Sequence, residues 1–158
     1  MSTPNESRDV CFFDIDGPLL SKSNFRRSRS RAQRGEWERQ RSFEHDVAVL
    51  ARAARPAKWP LGPRADSPIV ERPSVVMVIG AHSLLDTANM AKSVTDALEG
   101  VLYWNDASIR HVSCVSTRGR SNQRAIVGVE ALATNATLSE ILVSAAQLGE
   151  EFFERWAQ

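Results

Sequence analysis

The stretch VVMVIGAHSLLDTANMAKSVTDALEGVLYWNDASI, residues 75–109, decides the fold. Its opening run, Val75 to Ile79, is β-branched, too short for a helix, and bounded by Pro73 and Gly80, so it predicts a central strand. Met90, Val94, Ala97, Leu98 and Val101 then recur at three-to-four spacing with Gly100 at the end, which predicts a helix over residues 87–99. Asp86 stands where an N-cap belongs, its carboxylate facing the positive end of that helix.

Working outward, residues 9–15 (DVCFFDI) read as a first strand, closed by a turn at Asp16, Gly17 and Pro18. Phe43, Val47, Leu50 and Ala54 mark one face of an amphipathic helix over residues 36–54. Six prolines and glycines between Pro56 and Pro73 predict a loop, because each proline removes a backbone donor and restrains its predecessor. Residues 109–117 and 124–132 are β-type runs separated by Arg118, Gly119, Arg120, Ser121 and Asn122, which signals a hairpin of adjacent strands. Leu138, Ile141, Leu142, Ala145, Leu148, Phe152 and Trp156 give a terminal helix one apolar face, for the sheet or for a partner. The expected class is α+β with a mixed sheet and packed helices, over residues 1–133, followed by a C-terminal helical extension over residues 134–158.

With 158 residues and 42% apolar content the chain suits one core. No apolar run approaches the roughly 20 residues that span a bilayer, so no membrane role is expected. Cys11 and Cys114 lie in apolar runs and read as buried thiols; with no secretory leader in view, a reducing, cytoplasmic setting is expected. His45, His82 and His111 lack ligand spacing, and Trp37, Trp59, Trp104 and Trp156 suit core or interface packing as well as base stacking.

The formal net charge of +1 hides an uneven distribution. Lys22, Arg26, Arg27, Arg29, Arg31, Arg34, Arg39 and Arg41 face only Glu36 and Glu38 within twenty residues. Such a block suits phosphate neutralisation with counterion release, or it is a solvated Arg/Ser-rich loop. On the central helix, Asp86, Asn89, Ser93 and Asp96 fall at intervals of three, four and three, with Lys92 at the border and Asn105 and Asp106 in the following loop. Carboxylates gathered this way hold a cation such as Mg²⁺, or they simply form a solvated helix face.

The segment DTANMAKSVTDALEGVLYWNDASI, residues 86–109, resembles the signature of RusA-type Holliday-junction resolvases: Asp-x-Asp-Asn, Lys three residues later, Asp-Ala-Leu, then a downstream acidic pair. FFDIDGPLLSKSNFRR, residues 12–27, is similar to that family's opening strand, Gly-Pro turn and basic segment. The resemblance covers most of residues 10–132. It implies a RusA-like fold and a homodimeric, Mg²⁺-dependent endodeoxyribonuclease acting on branched double-stranded DNA. It further implies Asp86 and Asp106 as metal ligands joined by Asn105, Lys92 as the catalytic cation, and DNA binding by Lys22, Arg26, Arg27, Arg29 and Asn89.

Two positions depart from that pattern. Ala88 replaces an acid, and Asn105 replaces the first member of the downstream pair. A methyl group cannot ligate, and an amide is a weaker ligand than a carboxylate. The sequence therefore also fits a non-catalytic RusA-like DNA-binding protein. A rival motif, FFDIDGPLL, imitates the Asp-x-Asp-Gly opening of haloacid dehalogenase-like phosphatases, with Asp14 as nucleophile and Asp16 as acid/base.

Overall fold

A computed structural model describes residues 8–20, 31–61, 72–118 and 122–158. Four strands, β1 (Asp9–Asp16), β2 (Ser74–His82), β3 (Ile109–Thr117) and β4 (Arg124–Leu132), form one sheet in the order β1-β4-β2-β3. Three helices, α1 (Arg31–Ala54), α2 (Thr87–Leu98) and α3 (Leu138–Trp156), cover it, and a short 3-10 turn, Asp106–Ser108, precedes β3. The sheet is mixed, as expected: β2 runs parallel to β3, while β4 runs antiparallel to both β1 and β2.

The parallel pair follows from local sequence. α2 returns the chain along the sheet so that Ile109 pairs with Val75 and Thr117 with His82. Eight of the nine residues of β2 are buried. A strand buried on both faces and paired along both edges needs the continuous apolar run that residues 75–79 supply.

The hairpin expected of residues 109–132 does not form. The chain reverses direction between β3 and β4, but β2 lies between them. Arg118 to Asn122 is too long for the two-residue loop that enforces pairing, and β2 offers β4 a more apolar neighbour than β3, whose residues are mostly half-exposed. Asn122 takes the left-handed conformation, φ 53°, that such a reversal uses, whereas Gly119, Arg120 and Ser121 lie outside the described residues.

Strand alternation divides the core. Val75, Met77 and Ile79 with Val127 and Val129 face α1 and α2, joined by Cys11, Phe13 and Ile15 of β1. Val76, Val78 and Ile126 face α3, where Leu148 and Phe152 meet them. Gly80 lies on that side because a Cβ there would fall 2.0 Å from the Phe152 ring, and Gly128 similarly admits the ring of Phe12.

α3 therefore packs on β2 and β4. Its inward face is Ser144, Leu148 and Phe152, while Leu138 and Leu142, expected inside, are 72% and 54% exposed. They sit outside the inward stripe, which runs through Ile141, Ser144, Ala145, Leu148 and Phe152. On α1 the inward residues are Val47 and Ala51, and Leu50 is exposed, because the face drifts by one position from the expected spacing. That helix begins at Arg31, five residues earlier than expected. Cys11 is buried, Cys114 is half-buried, and both are free.

A partly buried ion pair ties the layers together. Arg8 donates to both carboxylate oxygens of Glu130 at 2.7 and 2.5 Å and also pairs with Glu151 of α3. Ser144 donates to Glu130 at 2.6 Å. These bonds satisfy a carboxylate that is only 3% exposed and hold the guanidinium firmly in its charged form.

Candidate functional site

The residues singled out by the sequence lie on and around α2. Asp86 is its N-cap, with extended backbone, and one carboxylate oxygen accepts from the Asn89 backbone N–H at 2.8 Å. The other accepts from the Asn89 side-chain amide at 2.7 Å. These bonds, the backbone one first, hold the Asp86 carboxyl below its ordinary range. Asp86 and Ala88 are both exposed.

Lys92 stands one to two turns further on and is 61% exposed, with its ammonium 3.3 Å from Asp96. The expected polar face is incomplete. Ser93 points into the core, and its hydroxyl has no hydrogen-bond partner among the described residues. Its position between Met90, Val94 and Ala97 places it inside the apolar stripe, which three-to-four spacing alone did not resolve.

Asn105 caps the 3-10 turn. Its side-chain oxygen, the atom expected to meet a metal, accepts from the Ala107 N–H at 2.8 Å. Asp106 is exposed on the next position. Nearby, buried Tyr103 donates its hydroxyl to the Thr95 carbonyl at 2.7 Å. Burial, then the charges of Asp106, Glu99 and Asp96, pushes that phenol above its usual range. Sequence reading missed Tyr103, although its place in an apolar Val-Leu-Tyr run beside the acidic loop was a usable signal.

The topology fixes how these residues stand to one another. Asp86 follows β2 beyond His82, and Asp106 precedes β3 on the side where Ile109 pairs with Val75. The two carboxylates thus flank opposite ends of a twelve-residue helix, which is about 18 Å long at ~1.5 Å per residue. Within one chain, Asp86 and Asp106 are not brought together. Asp106 instead neighbours Tyr103 and the acids at the far end of α2.

The donor set of one chain does not suit a divalent cation. The oxygens of Asp86 and Asn105 each already accept a hydrogen bond, position 88 offers a methyl group, and no group of three His, Cys, Asp or Glu side chains among the described residues could hold a metal. The DNA-binding candidates Lys22, Arg26, Arg27 and Arg29 lie outside the described residues. Asn89 is half-buried against Asp86.

A family model described as Endodeoxyribonuclease RusA matches residues 16–130. The chain belongs to the RusA family. That membership supplies a nuclease of the Holliday-junction resolvase kind as the coarse class of function. It also sets aside the phosphatase reading of Asp14 and Asp16, which lie on an edge strand in a cleft lined, among the described residues, by Arg124 and Arg155 and by no lysine.

A search of curated proteins gave no match. Among solved structures, the chain is similar to CetZ from Methanosaeta thermophila strain DSM 6194 at 15% identity and TM-score 0.32, covering 94% of this chain and 32% of that one. It is also similar to a chain of the HypE-HypF complex at 9% identity and TM-score 0.29, covering 78% and 33%. The RusA-family chain thus spans about a third of the length of these solved chains. No helix among its described residues is long and apolar enough to cross a membrane.

Proposed function

We propose that this chain is a RusA-type protein that binds four-way DNA junctions and cuts them far less efficiently than the full acidic pattern of its family would allow. The observation that carries the reading is the placement of Asp86 and Asp106 at opposite ends of α2, with Asp86 and Asn105 committed to caps. Binding rests on the basic segment, in which Lys22, Arg26, Arg27 and Arg29 meet phosphates, and on Asn89 and Lys92 at the exposed side of α2. Lys92 in this role offers a solvated point charge to a phosphate oxygen. A homodimer matches the two-fold symmetry of a four-way junction. The cytoplasm is the compartment that fits free thiols and DNA.

The experiment measures junction binding and Mg²⁺-dependent nicking separately on four-way, forked and linear DNA. Saturable, salt-sensitive junction binding with little or no nicking supports the proposal, whereas robust cutting by the wild-type chain contradicts it. Ala88→Asp places a second carboxylate on the turn that already carries Asp86 and is expected to raise nicking by at least about tenfold, the scale of one favourable electrostatic interaction at a reacting phosphate.

A further inference from the structure

Alternation along β1 sends Cys11, Phe13 and Ile15 toward α1 and α2, and sends Phe12, Asp14 and Asp16 to the other side of the sheet. α3 covers that side over β2 and β4. A cleft of about 410 Å³ opens beside it, lined by Phe12, Asp14, Asp16, Arg124, Ile126 and Arg155 among others. Its volume lies in the range of roughly 300–1,000 Å³ common to small-ligand sites.

The charges in this cleft are arranged for something other than each other. Asp16 faces Arg124 across the strand pair, yet among the described residues no ion pair joins either carboxylate to either guanidinium. Arg155 instead lies over the Phe12 ring, 4.4 Å from its centroid. Arg124 lies over Trp156 at 4.9 Å and donates to the Trp156 carbonyl at 3.4 Å. Aspartates on an edge strand also deter pairing with other chains. That role accounts for the two carboxylates but not for two guanidinium groups, each laid over one ring, in the lining of the same cleft.

A ligand matched to this lining carries hydrogen-bond donors for the carboxylates, an anion for the guanidinium groups and a flat body to lie against them. A zwitterionic amino acid has both charges but fills little of the space and has no planar surface. Guanine presents its ring N–H and its amino group side by side, which matches the two oxygens of one carboxylate. Adenine and cytosine set an acceptor beside their amino group, and uracil and thymine flank their N–H with carbonyls, so each of these opposes a carboxylate. A phosphate then completes the match to the guanidinium forks.

We propose that the cleft between β1 and the end of α3 binds a guanine nucleotide, with Asp14 or Asp16 reading the base and Arg124 and Arg155 holding the phosphate. The nucleotide is either free or an unpaired guanine in DNA. This site is separate from α2, and its binding is independent of the junction reading.

Calorimetric titration with GMP, AMP and guanosine tests it, using wild type, the Asp14→Asn/Asp16→Asn double variant and the Arg124→Gln/Arg155→Gln double variant, with circular dichroism verifying their folds. GMP is expected to bind at least about tenfold more tightly than AMP, since a site built for donors rejects a base lacking them. The aspartate variant should erase that preference, and the arginine variant should reduce GMP to the level of guanosine. In a second arm, GMP is competed against an oligonucleotide carrying one unpaired guanine. Displacement assigns the cleft to guanine from either source, and no displacement assigns it to the free nucleotide. Equal binding of GMP and AMP, no saturable binding of GMP, or GMP binding that is unchanged in both folded variants would overturn the proposal.

Discussion

At the scale of single residues, the site is governed by which oxygens are already in use. Asp86 caps α2, Glu140 completes the capping box of Thr137 at the start of α3, and hydrogen bonds at each hold the carboxyl below its ordinary range. A lowered carboxyl contributes stability that is fully present above the unfolded value, about 3.9 for Asp and 4.3 for Glu, and is lost as pH falls through the lower folded value. The thermal midpoint should therefore fall as pH drops below about 4, and Asp86→Ala should show a shallower acid loss than wild type. An unchanged acid profile in Asp86→Ala would contradict the capping role. Thr137→Ala, which removes the hydroxyl of a complete capping box, should cost about 1 kcal/mol in denaturant unfolding. The capping role of Asp86 was legible because a short polar acceptor precedes an apolar-periodic run. The inward turn of Ser93 was not, since a small hydroxyl residue carries too little hydropathy to declare its face.

Among the elements, the strongest couplings cross the sheet. Phe152 of α3 fills the space over Gly80, so Phe152→Ala should cost about 3–5 kcal/mol through reduced burial and a residual cavity. Gly80→Ala should cost about 1–3 kcal/mol from the opposite fault, overpacking against the same ring. The two changes made together should be less than additive, and full additivity in denaturant unfolding would contradict their direct packing. The four strands and three α-helices were legible from hydropathy period and turn residues, because those patterns record burial directly; the 3-10 turn at Asp106–Ser108 and the first turns of α1 were not. Strand order was not. The residues from Arg118 to Asn122 declare a reversal of direction, but which strand lies alongside β4 depends on the greater burial available at β2, a property of the assembled sheet.

For the molecule as a whole, the proposed function divides between a charged segment read from sequence and an acidic pattern set along α2 and its following loop. The RusA motif was legible as an order of residues along α2 and its loop. Their separation became apparent only from the parallel register of β2 and β3, which sends Asp86 and Asp106 to opposite ends of the crossover. Junction binding should weaken linearly on a log–log salt plot, and replacing Lys22, Arg26, Arg27 and Arg29 by Gln should reduce the slope by about 0.9 for each phosphate left unneutralised. A slope unchanged by all four replacements would place the DNA interface elsewhere.

The most direct measurement of the central claim is a Mn²⁺ titration of the DNA-free protein, followed by calorimetry or electron paramagnetic resonance, for wild type, Asp86→Asn, Asp106→Asn and Ala88→Asp. Wild-type binding is expected on the order of millimolar or weaker, indifferent to Asp106→Asn, and tightened by Ala88→Asp. Stoichiometric micromolar binding by wild type, lost in both Asp86→Asn and Asp106→Asn, would show that the two carboxylates share one cation and would contradict that expectation.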